Sequence, residues 1–118
     1  MKRMNGLQLA KDLNKILEEI EAISNSYKGE ELSDVDSIIM DRLETEAHII
    51  KKALEDNGLY GSFLDYIKAL EDIQVISDKI EFGAVKFRPA FYTAMELAED
   101  RRRKAEGYLM DKNILIDL

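Results

Sequence analysis

Residues 9–29 read LAKDLNKILEEIEAISNSYKG, and their apolar side chains recur at steps of three and four residues. This period places those side chains along one side of an α-helix. Gly29 is of the residue type that most commonly ends a helix. The sequence therefore predicts an amphipathic first helix over residues 7–28, whose apolar stripe is Leu9, Leu13, Ile16, Leu17, Ile20, Ile23 and Tyr27.

Capping signals predict the starts of two further helices. Ser33 and Ser62 are each followed by an aspartate three residues later, an acidic variant of the capping box. Asn57-Gly58 supplies a stop signal between them. These signals predict helices over residues 34–56 and 63–82. The third helix is apolar over a wide arc, which predicts a central position between two neighbours. The stripe of the second helix is Val35, Ile39, Leu43, Ala47, Ile50 and Leu54.

The last part of the chain contains one more helical pattern and an apolar end. Pro89 suits the first turn of a helix, which predicts a fourth helix over residues 89–107, with Met110 as an alternative end. Residues 83–88 are too few to decide between an extended and a helical connection. The tail covers residues 108–118, and the sequence leaves its apolar end, residues 114–118, undecided between the same two conformations. The predicted fold is an all-α, four-helix bundle-like single domain with short connections and an apolar C-terminal tail.

Composition excludes several classes of function. The chain has 118 residues, no cysteine, one histidine and a net charge of −7. A disulfide framework, a cysteine-based zinc site and a thiolate nucleophile are therefore excluded. The acidic balance makes direct nucleic-acid binding an unfavourable prediction, because such proteins concentrate positive charge. No apolar run approaches a membrane span, so we expect no membrane contact and a cytoplasmic location. The sequence has no Gly-rich phosphate loop and no Cys/His pair, so we expect no cofactor.

Negative charge is concentrated in one stretch. Residues 30–46 contain seven acids and one base, Arg42, so this stretch alone contributes −6 of the net charge of −7. A surface of this kind steers a partner with a basic counterpart, although a solvated, solubilising face is the alternative. The candidate partner-binding acids are Glu30, Glu31, Asp34, Asp36, Asp41, Glu44 and Glu46.

Positive charge is concentrated in a run of four cations, Arg101, Arg102, Arg103 and Lys104. Near a helix C-terminus these side chains complement the helix dipole, and Glu99 and Asp100 compensate part of the charge. The run is also a candidate contact for an acidic partner, a nucleic acid or the acidic face of a second copy of the chain. The apolar tail is the candidate self-association segment of an expected homodimer, with folding back into its own bundle as the alternative. Its candidate residues are Ile114, Leu115, Ile116 and Leu118.

A short carboxylate pattern carries one family resemblance. Glu18 with Glu21 and Glu31 with Asp34 have ExxE and ExxD spacing, which resembles the all-α nucleotide pyrophosphohydrolases of the MazG type. The resemblance implies a magnesium site on these four carboxylates. At 100° per residue, however, Glu18 lies about 160° from the centre of the apolar stripe, so it projects into solvent. The hydrolase is therefore the second hypothesis.

The first hypothesis is a small acidic, non-enzymatic protein-binding module. It acts through its acidic helical surface as an inhibitor, adaptor or assembly partner. By analogy with other small acidic helical proteins, it is one that a phage or mobile element could encode. A self-assembling structural subunit is the third hypothesis.

Overall fold

The computed structural model describes residues 1–27, 29–81 and 88–117. Within these residues four helices pack against one another, which confirms the predicted all-α, four-helix fold. Residues 82–87, which include most of the undecided connection, lie outside the described residues, as does Leu118. In chain order the elements are β1 (Lys2–Asn5), α1 (Gly6–Tyr27), α2 (Asp34–Asp56), α3 (Tyr60–Glu81), α4 (Arg88–Met110) and β2 (Asn113–Ile116).

The helices form two hairpins that share one core. Helices α1 and α2 make the first hairpin, here called arm 1, and α3 and α4 make the second, arm 2. At the end where β1 and β2 pair, both arms contribute to a common core, here called the junction. It consists of Leu9, Ala10, Leu13, Ile50, Leu54, Leu59, Phe63, Tyr66, Ala105, Leu109, Ile114 and Ile116.

Away from the junction the arms separate. The radius of gyration is 17.2 Å, against about 13.5 Å for a compact domain of this length. None of the described residues in the ranges 14–39 and 70–97 is fully buried. Helix α3 packs mainly on α4 and far less on α2, so the prediction of a central third helix is wrong. Its wide apolar arc instead contacts α4 along its length and the junction at its first turns.

The start of α3 differs from the sequence prediction. Gly58 adopts a φ of +69°, which a glycine tolerates and most residues do not. The chain then turns so that the Leu59 N–H donates to the Leu54 carbonyl at 2.8 Å, and the Phe63 N–H donates to the Leu59 carbonyl at 2.9 Å. The buried Leu59 therefore precedes the first helical residue, and α3 begins at Tyr60 with Ser62 inside its first turn.

The tail is part of the fold. Residues 108–110 continue α4, and β2 pairs antiparallel with β1, joining Lys2 to Ile116 and Asn5 to Asn113. Because side chains alternate along a strand, Ile114 and Ile116 enter the junction at 3% and 4% exposure, whereas Leu115 is 58% exposed. The prediction that Ile114 and Ile116 bury against a second copy therefore needs correction: both side chains are buried within their own chain.

Gly6 allows α1 to approach the end of α4. Its N–H donates to the Lys112 carbonyl at 2.9 Å. A methyl group on Gly6 would lie 2.8 Å from Cδ1 of Leu59 and closer still to the backbone oxygen of Leu109. We expect Gly6→Ala to lower the free energy of unfolding by about 1–3 kcal/mol, because the backbone must move to accept it. Urea denaturation followed by circular dichroism measures this.

Gly107→Ala is the matched control. A Cβ at Gly107, which lies inside α4, would meet no atom within 4 Å. Removing a helix-interior glycine should therefore stabilise the protein by about 0.5–1 kcal/mol. Equal behaviour of the two variants would contradict the close packing at Gly6.

Candidate functional site

The acidic charge of the protein belongs to the far part of arm 1. Residues 14–46 contain ten acids and three bases, a net charge of −7 that equals the charge of the whole chain. Five of the predicted partner-binding acids are exposed: Glu30, Glu31, Asp34, Asp41 and Glu44. The other two, Asp36 and Glu46, are partly buried. One end of the molecule therefore carries the excess charge.

Asp36 has a structural role at this end. Its carboxylate accepts a hydrogen bond from the Tyr27 hydroxyl, which also lies 3.2 Å from the Ser33 Oγ. The Asp36 N–H in turn donates to the Ser33 Oγ at 3.2 Å, as the predicted N-cap requires. These bonds fix the last turn of α1 to the first turn of α2, so the first turn of α2 has a defined position on arm 1.

Three aliphatic side chains near the start of α2 are exposed. Val35 is 67% exposed, Ile38 63% and Ile39 40%. Their i, i+3, i+4 spacing makes them neighbours on one flank of the helix. The side chains of α2 that pack inward are Met40, Leu43, Ile50 and Leu54. Val35, Ile38 and Ile39, here called the α2 stripe, thus form a second apolar stripe without a covering element among the described residues.

The sequence predicts Val35 and Ile39 in the buried stripe of α2, since both fit its three- and four-residue steps. Both side chains are exposed, so this part of the prediction is wrong. At 100° per residue they lie about 60–100° from the centre of the buried side chains, on the side where Ile38 follows. Ile38 is the residue of the sequence that indicates a second stripe. It lies on a different side of the helix from Met40 and Leu43, so one apolar stripe cannot contain all three.

The predicted basic run divides into two parts. Arg101, Arg103 and Lys104 are exposed, and Arg103 lies 3.1 Å from Asp100. Arg102 is partly buried, with its Nε 3.7 Å from Oε1 of Glu106. Burial, followed by the negative charge of Glu106, raises the pKa of Tyr66, and Arg102 opposes that shift. Arg102 therefore belongs to the inner side of α4, and three of the four cations face solvent.

An open groove runs between α3 and α4. Two adjoining cavities of about 400 and 450 Å³ share Lys68 and Arg101 as lining residues. Asp72 lies 3.1 Å from Lys68 and 3.8 Å from Arg101. Three large side chains on its walls are exposed: Val75 at 52%, Leu97 at 56% and Tyr108 at 66%. This α3–α4 groove combines apolar surface with three cations, Lys68, Arg101 and Lys104, and two acids, Asp65 and Asp72.

The carboxylates that the hydrolase hypothesis requires form no metal-binding group among the described residues. Glu18, Glu21, Glu31 and Asp34 are all exposed. In the part of the chain that the structure describes, no three His, Cys, Asp or Glu side chains form a group that could hold a metal ion. His48 is exposed on α2.

Across residues 1–27, 29–81 and 88–117, no helix combines the length and apolar character that a membrane span needs. Comparisons with protein-family models, curated proteins and solved structures yield no match to this chain.

Proposed function

We propose that the protein is a non-enzymatic protein-binding module, and that arm 1 presents the α2 stripe and its surrounding acids to a partner. The partner surface that fits is basic and contains an apolar patch. An inhibitor, an adaptor and an assembly partner all act through such contacts. The nucleic-acid groove of another protein is one surface with the required charge.

The exposed α2 stripe is the observation that carries this proposal. Isolated exposed aliphatic side chains are common on protein surfaces, but contiguous ones rimmed by charge typically mark interaction sites. Val35, Ile38 and Ile39 are contiguous, and they lie in the stretch that holds the net charge of the chain. The acids would speed encounter with a basic partner, and the apolar side chains would supply most of the affinity.

The test is the paired substitution Val35→Ser and Ile38→Ser. Burying an aliphatic side chain contributes about 1.5–3 kcal/mol, so we expect removal of both to weaken the complex by at least about 100-fold. The wild-type chain and the variant, each immobilised, are exposed to lysate of the source cells, and bound proteins are identified by mass spectrometry. A true partner is retained by the wild-type chain and lost from the variant, and its affinity is then measured by titration.

Met110→Ser with Leu115→Ser is the matched control. These side chains are 56% and 58% exposed, comparable with Val35 and Ile38, but lie outside arm 1. Partners should bind the control as they bind the wild type. If every captured protein binds the wild-type chain and the α2 variant equally, the α2 stripe is not a binding surface.

A further inference from the structure

We propose that the α3–α4 groove of one copy receives the α2 stripe of a second copy, so that two chains form a reciprocal dimer. This contact assigns an occupant to the groove, which the proposed function does not use. It also replaces the tail as the self-association surface, since Ile114 and Ile116 are buried within their own chain.

The two surfaces match in length and in the order of their chemistry. From Ile39 to Glu46, and from Leu97 to Lys104, seven helical steps span about 10 Å in each case. On α2 the exposed apolar residues come first and are followed by Asp41 and Glu46. On α4 exposed Leu97 comes first and is followed by Arg101 and Lys104. A parallel alignment with Ile39 level with Leu97 therefore sets Glu46 level with Lys104, and Asp41 within one helical turn of Arg101.

Charge complementarity selects a second copy as the occupant. The chain carries an acidic apolar stripe on arm 1 and, on arm 2, a groove whose three cations outnumber its two acids. The molecule is flat, with extents of 48 × 40 × 16 Å. Within one chain these two surfaces do not cover each other, because Val35 stays 67% exposed and Leu97 56%. Each copy offers one of each surface, so a pair can satisfy both contacts and close. A partner that binds the α2 stripe then competes with the second copy.

Reversing the charges on each side tests the contact. One variant carries Asp41→Lys with Glu46→Lys, another Arg101→Glu with Lys104→Glu, and a third carries all four changes. Sedimentation equilibrium at micromolar concentration and low salt should show a wild-type dimer. Each single-sided variant should dissociate at least about tenfold more readily, and the four-fold variant should return close to wild type, because attraction is restored. Circular dichroism checks that helix content is unchanged.

Apolar substitutions on α4 give an independent control. Leu97 and Met110 are both 56% exposed, but Leu97 lines the groove and Met110 lies on another flank of the helix. Leu97→Ser should weaken the dimer and Met110→Ser should not. A monomeric wild-type chain overturns the proposal, and so does a dimer that the four-fold variant fails to restore. Neither result affects capture of a partner by arm 1, which a monomer can perform.

Discussion

Replacing both Ile114 and Ile116 by alanine is expected to remove most of the stability of the protein. Each side chain is almost fully buried in the junction, at 3% and 4% exposure. Truncating a buried isoleucine to alanine costs about 2–5 kcal/mol, because burial is lost and a cavity is left. The whole free energy of unfolding of a domain is about 5–15 kcal/mol. Urea denaturation should therefore show a strongly lowered midpoint or a protein that is already unfolded in buffer.

Leu115→Ala is the control within the same strand. Leu115 is 58% exposed and pairs across the ladder with Arg3, so its truncation should change stability by about 0.5 kcal/mol or less. The loss at Ile114 and Ile116 should be independent of protein concentration, because they pack within one chain. A concentration-dependent loss, or equal effects at Leu115 and Ile116, would mean that the tail serves a contact between copies.

The sequence was sufficient for the helices, because their signals are local. A stripe with a 3.6-residue period identifies α1 from its own residues, and Ser33 caps α2 as its chemistry predicts. The Asn57-Gly58 pair predicts the end of α2, and Gly58 follows that end with a positive φ. Each of these features depends on residues a few positions apart, so a single sequence reveals them.

The sheet and the separation of the arms depend on contacts that are distant in sequence. Strand β1 is four residues long, without apolar alternation, and is held by pairing with a strand over one hundred positions away. An apolar stripe identifies one side of a helix, but it does not show which positions on that side another element covers. Leu43 and Val35 belong to the same predicted stripe, yet Leu43 is buried and Val35 is exposed. The α3–α4 groove joins residues from two helices, and no local pattern places Lys68 beside Arg101.

The acidic candidates show the same limit in the proposed site. The charge excess could be counted from the sequence, because charge needs no geometry. The sequence does not show which of these acids have a structural role and which are exposed. That distinction depends on the hydrogen bond from Tyr27 to Asp36, which joins α1 to α2. The aliphatic side chains beside those acids became candidates only once their exposure was known.

Phe63→Ala is expected to uncouple the two arms as well as to destabilise them. Phe63 is 2% exposed in the junction, where its ring stacks on Tyr60 with centroids 5.7 Å apart. Its loss should cost about 3–5 kcal/mol. Among the described residues the core shared by all four helices lies at the junction, so hydrogen exchange should quicken in both arms together.

Met40→Ala is the comparison, because Met40 is 7% exposed within arm 1 and lies outside that shared core. Its effect on exchange should stay within arm 1. Unchanged protection of arm 1 in the Phe63 variant would show that arm 1 holds its structure without arm 2.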